Sequence, residues 1–99
     1  MYKVLVTQSF IKEFKQLFNK VETEKFNSFK EKIKSNPYLG DQLRVPFVRE
    51  FKTKGKRAYF IINSKSKKIV FIACSNKKNK NYIINEIFTN LDELKRLTD

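Results

Sequence analysis

The chain has 99 residues, 40% of them hydrophobic, with ten Phe and four Tyr but only two Gly and two Pro. That is enough apolar material for a single modest core, and it excludes a disordered or loop-dominated chain. The formal net charge is +12 with no His, which excludes the usual general base and favours a polyanionic partner.

The charge is unevenly placed. Residues 44–80 carry twelve Lys and Arg against one acid, Glu50, whereas residues 1–43 carry eight against five and residues 81–99 two against four. Like charges packed that densely repel one another, so polyanion binding is favoured over generic solubility. One cysteine, Cys74, rules out an intramolecular disulfide, and its apolar neighbours make it a small buried hydrophobe. No stretch reaches the ~18 apolar residues of a membrane span. The first residues lead straight into an amphipathic segment and do not read as a signal peptide. The expectation is one cytoplasmic domain spanning 1–99, without repeats or linkers.

In chain order, residues 2–6 read as a short strand, and Thr7 or Ser9 is placed to cap a helix. Phe10, Ile11, Phe14, Leu17 and Phe18 recur at helical spacing over 8–19. Residues 21–35 repeat the pattern with Phe26, Phe29 and Ile33. Asn36-Pro37 ends this second helix, because the residue before proline is pushed out of the α region, and Gly40-Asp41 reads as a turn. Three strands follow at 44–52, 57–63 and 68–74, joined by turns at 54–56 and 64–66, which makes an antiparallel meander. Residues 69–74 are apolar on both faces, as in a central strand covered on both sides. A lysine-rich loop occupies 75–81. Ile83, Ile84, Ile87, Phe88, Leu91, Leu94 and Leu97 then run at helical spacing to residue 99. The predicted fold is α+β, ordered β-α-α-β-β-β-α: a mostly antiparallel four-stranded sheet against an N-terminal helical hairpin, with a C-terminal helix.

The chemistry available is narrow. There is no zinc set, no paired-carboxylate metal site and no glycine-rich phosphate loop, so an enzyme built from this chain works with Lys, Arg, Tyr and Glu50, without metal or small-molecule cofactor. That set suits RNA cleavage. Arginine holds a phosphate with two hydrogen bonds. Positive neighbours disfavour the charged form of a lysine, which prepares it to take a proton from a 2′-OH. Arg49, Lys52, Lys54, Lys56 and Arg57 cluster around one hairpin, and Lys77, Lys78, Lys80 and Tyr82 follow the central strand. Ends of neighbouring strands meet in a meander, so the two clusters are expected to converge. Arg49 is in phase with Val45, Phe47 and Phe51; it either serves the site, lies at an exposed sheet end or pairs with a carboxylate. Tyr82 either stacks on a base or packs in the core. Lys65, Lys67 and Lys68 lie at the opposite hairpin and read as a solvated turn.

The helical hairpin ending in Asn36-Pro37, then Arg49-Glu50-Phe51, Gly55-Lys56-Arg57-Ala58-Tyr59-Phe60, the strand at 69–74, Asn76-Lys77-Lys78 and a C-terminal helix together resemble the RelE/ParE toxin superfamily across nearly the whole chain, in particular its RelE- and HigB-like members. The resemblance implies the toxin of a type II toxin–antitoxin system, a ribosome-dependent endoribonuclease that cuts mRNA, held in check by a cognate antitoxin. It implies that Arg57 contacts the scissile phosphate, that Lys77 or Lys78 joins it in stabilising the transition state, that Lys52 or Lys54 is the base, and that Tyr82 lies near a catalytic tyrosine. Arg44, Arg49, Lys56 and Lys80 are then expected to bind RNA. Lysines stand where RelE proteins often have arginine, and the histidines of some relatives are missing. A non-enzymatic or catalytically degenerate protein of the same fold is the alternative, acting by binding as a ParE-like gyrase inhibitor or on nucleic acid within an antitoxin complex.

Overall fold

A computed structural model describes residues 1–99. Strand β1 (Lys3–Val6) leads into helices α1 (Gln8–Leu17) and α2 (Lys20–Ile33). A 3₁₀ turn at Pro37–Leu39 precedes the strands β2 (Asp41–Leu43), β3 (Val45–Thr53), β4 (Lys56–Asn63) and β5 (Lys68–Ser75). Helices α3 (Lys80–Thr89) and α4 (Leu91–Lys95) close the chain, with a final 3₁₀ turn at Arg96–Thr98. The sheet order is β1-β5-β4-β3-β2; β1 runs parallel to β5 and every other pair is antiparallel.

The expected class and element order hold, with two corrections. The sheet has five strands, not four, because residues 41–43 pair with β3 where a turn was expected. Three residues at a sheet edge are too few to show alternation, and the register slips between Gln42 and Leu43 as the chain doubles back onto Val45. The C-terminal helix is also broken at Asn90, whose backbone leaves helical geometry (φ −107°, ψ 20°) and whose side-chain amide joins its own N–H in donating to the Glu86 carbonyl.

Local chemistry explains the helical hairpin. Thr7 caps α1 by accepting from the Phe10 N–H at 3.1 Å. Asn19 caps α2 through a full capping box: its Oδ1 accepts from the Glu22 N–H, and Glu22 Oε1 accepts from the Asn19 N–H. Period-2 alternation then sorts the sheet into two faces. Ala58, Phe60, Ile62, Ile69 and Phe71 meet α1 and α2 in an aromatic core with Phe10, Phe14, Phe18 and Phe26. Phe71 sits 5.3 Å from Phe10 and 4.9 Å from Phe26, centroid to centroid. Each such ring contributes ~2–3 kcal/mol by burial. Cys74 is buried here, and burial pushes its thiol up, leaving it inert. The opposite face carries Val48, Tyr59, Ile61, Val70 and Ile72 against Ile87, with Ile83, Ile84 and Phe88 of α3 around them. No helix is long and apolar enough to cross a membrane.

Candidate nucleic-acid interface

The β3–β4 hairpin turns through Lys54 and Gly55, at φ 49° and 81°. Two successive positive φ angles match the twist of a two-residue hairpin, and glycine takes the second at no steric cost. The turn is also covered. A Cβ at Gly55 would lie 3.1 Å from the Lys77 side chain, so the loop after β5 rests on the hairpin tip. That loop is braced from within: Asn76 Oδ1 accepts from the Lys78 and Asn79 N–H groups, and Asn79 Oδ1 accepts from the Asn76 N–H. The two basic clusters therefore meet as expected. Between them lies an open depression of about 390 Å³ lined by Lys54, Gly55, Lys56, Asn76, Lys77 and Lys78, with no hydrophobic side chain. Tyr82, in the first turn of α3, is 66% exposed. It does not pack in the core, and its ring is open to stacking.

Arg57 lies beneath this surface. Cross-strand pairing sets Lys52 opposite Arg57 and Glu50 opposite Tyr59, all on the α3 face, with Ser75 beside Arg57 on β5. Arg57 is only 8% exposed and Glu50 7%. Arg57 Nε approaches Glu50 Oε1 at 3.5 Å, and neither atom has a hydrogen-bond partner. Tyr59 Oη and Ser75 Oγ share a 2.7 Å hydrogen bond alongside. Burial raises the Glu50 carboxyl above its ordinary range, and the nearby Arg57 and Lys52 charges only partly offset this. Burial likewise raises the Tyr59 phenol. Lys52 is half-exposed, with its Nζ 3.8 Å from Asp41. Lys80, half-buried at the start of α3, adds to the positive field at Glu50.

No protein-family model and no curated protein sequence matches the chain. Solved structures do. The isolated E. coli RelE toxin aligns with a TM-score of 0.65 over 88% of this chain and 99% of that one, at 14% identity. An E. coli RelE mutant in complex with an antitoxin RelB peptide gives 0.65 over 83% and 93%, at 11% identity. RelE of the archaeal RelE–RelB complex from Pyrococcus horikoshii gives 0.58 over 77% and 94%, at 18% identity. The chain has the RelE fold.

In this RelE-fold sheet, three cations expected to bind RNA are engaged elsewhere. Arg44 donates to Asn85 Oδ1 at 2.6 Å and lies 4.8 Å over the Phe88 ring, fastening the β2–β3 elbow to α3. Arg49 donates to the carbonyls of Pro46, Tyr38 and Gly40 and stacks on Tyr38, which holds the 3₁₀ turn against β3. Neither alternative considered for Arg49, a free sheet end or a carboxylate partner, describes this. Lys56 points to the α2 face and pairs with Glu22 at 2.6 Å. Sequence reasoning also missed Tyr59 and Ser75 as partners of the site. Tyr59 shares the phase of Arg57 along β4, which was legible; its hydroxyl partner on β5 depends on a register shift between Tyr59 and Phe60 that alternation does not reveal.

Proposed function

We propose that the chain is the toxin of a type II toxin–antitoxin pair, and that it cleaves mRNA on the ribosome without a metal ion. The observation that carries this reading is the packing of Lys77 over Gly55 at one end of a RelE-fold sheet, which draws Lys54, Lys77 and Lys78 together beside the start of β4, with Lys52 opposite Arg57 on the neighbouring strand. In this reading, Lys52 or Lys54 takes the proton of a 2′-OH, which attacks the adjacent phosphorus. The P–O5′ bond breaks with its electron pair going to the 5′-oxygen, which takes a proton from water, leaving a 2′,3′-cyclic phosphate and a 5′-hydroxyl. Lys77, Lys78 and Arg57 stabilise the charge that develops on the phosphoryl oxygens, and Tyr82 stacks on a neighbouring base. DNA has no 2′-OH and is bound without reaction. The partners are the ribosome, its mRNA and a cognate antitoxin that covers the basic end, and the compartment is the cytoplasm.

The burial of Arg57 against Glu50 favours a second reading, a binding protein of the same fold that inhibits gyrase or holds nucleic acid without cutting it. One experiment separates the two. The purified chain is added to ribosomes programmed with a short mRNA, and the RNA ends are mapped. Cleavage within the ribosome-bound codon, absent without ribosomes and insensitive to chelator, is the expected result. Intact mRNA combined with inhibition of DNA supercoiling would establish the second reading instead.

A further inference from the structure

The Lys56–Glu22 pair joins the hairpin tip to a helix on the far face of the sheet. Glu22 is 3% exposed, and its Oε1 accepts both from Lys56 Nζ at 2.6 Å and from the Asn19 N–H at 2.9 Å. These bonds hold its carboxyl below the ordinary range, the backbone bond most and Lys56 next. Lys56 opens β4, pairs with Thr53 across the hairpin, and sits between the Gly55 turn and Arg57. Its side chain points to the α2 face, and alternation turns Arg57 to the other. The tip is thus gripped from both sides, by Glu22 on the α2 face and by Lys77 over Gly55.

We propose that Glu22 is a positioning residue for the basic site: through Lys56 it fixes the hairpin tip so that Lys52, Lys54 and Arg57 stand in register with Lys77 and Lys78. Lys56 then belongs to the support of the site and touches no RNA. The catalytic readout rests on the RNA-cleaving function proposed above; the structural and binding readouts do not.

The test uses Glu22→Gln, which keeps an acceptor for the Asn19 N–H but loses the charge, together with Lys56→Met, the double variant, and Lys56→Arg. Cleavage on programmed ribosomes should fall roughly tenfold in kcat, with KM nearly unchanged, in either single variant, below the ~100-fold that a full ~1 Å misplacement of a reacting group can cost. The double variant should be no worse than the singles, and Lys56→Arg should recover most of the rate. The slope of RNA affinity against salt should stay that of the parent in Lys56→Met. A slope reduced by ~0.7, the value for one lost single-strand phosphate contact, would make Lys56 a direct ligand and overturn the proposal. Parental kcat in folded Glu22→Gln would overturn it as well. If the parent itself cuts nothing, the function fails, and the inference is decided by NMR: in Glu22→Gln the amides of Lys54, Gly55 and Arg57 should shift and exchange faster, and unchanged spectra there sink it. Should Lys56→Met fail to fold, Glu22→Gln and Lys56→Arg carry the test.

Discussion

The two hairpins of the meander are chemically alike and do different things. The β3–β4 tip carries Lys54 and Lys56; the β4–β5 tip carries Lys65, Lys67 and Lys68, and each places one lysine at positive φ, Lys54 at 49° and Lys67 at 58°. At the second tip, Asn63 Oδ1 accepts from the Lys65 and Ser66 N–H groups, while its amide donates to Thr98. Ser66 also donates to the Thr98 carbonyl, Lys67 lies over the Tyr2 ring, and Lys68 reaches the Asp99 carbonyl. These groups clasp the chain's last turn to the sheet, so the tip is more than the solvated turn expected from its sequence. At the first tip, Lys54, Lys77 and Lys78 line an open depression and make no ion pair or cation–π contact. Lysine count does not distinguish a binding surface from a structural one; what each ammonium has already engaged does.

The largest expected effect falls on the second residue of β4. Arg57→Ala strands a buried carboxylate, which costs ~3–5 kcal/mol, and urea melts should show it. The matched change at the other end, Asn63→Ala, removes neutral hydrogen bonds, costs ~1–2 kcal/mol, and should leave RNA affinity untouched. Equal losses in the two variants would mean that the Glu50–Arg57 pair contributes no more than the clasp.

Charge removal sharpens the comparison at a smaller scale. Lys77→Ala with Lys78→Ala should flatten the salt slope of RNA binding by ~1.4, or ~0.7 per phosphate contact. Lys65→Ala with Lys67→Ala should leave it within error. A flattening shared equally by both pairs would show that the whole sheet edge attracts RNA without a defined site.

The smallest effect is in the acid limb of stability, where the two buried carboxylates have opposite signs. Glu22 titrates below its ordinary 4.5 in the folded chain, so its contribution is present above that pH and is lost as pH falls through the lowered value. Glu50 titrates above 4.5 in the folded chain, so it favours folding at low pH, and that contribution is lost as pH rises through the raised value. Glu22→Gln should therefore flatten the loss of stability below pH 4.5, and Glu50→Gln should remove a loss that occurs above it. Changes of the same sign in the two variants would contradict these environments.

Much of the fold was legible because its signals are local. Phe10, Phe14 and Phe18 mark α1 by spacing alone, Asn36-Pro37 stops the helical hairpin, and the doubly apolar run at 69–74 announces a central strand. The convergence of the two lysine clusters followed from strand order. What remained hidden depends on packing between distant segments. Arg49 and Lys56 look identical in sequence to Lys54, and only the positions of the Gly40 carbonyl and of Glu22 remove them from the surface. The depth of Arg57 likewise depends on other strands: Lys52 and Ser75 flank it across the sheet, and Glu50 lies against it. The strand at 41–43 was illegible because its pairing is dictated by the elbow at Arg44 rather than by its own composition.

The parallel pairing of β1 with β5 has a consequence for biosynthesis. Lys3 pairs with Lys68, across nearly the whole meander, and such distant contacts close late because the intervening chain must first be ordered. β5 both receives the first strand along its edge and launches, from its end, the loop that covers the Gly55 turn. A chain emerging from the ribosome exposes the β3–β4 hairpin early but has no partner for it until β5 and its loop follow. The basic site therefore comes into being only once β5 and its loop have been made, in the same step that ties down β1.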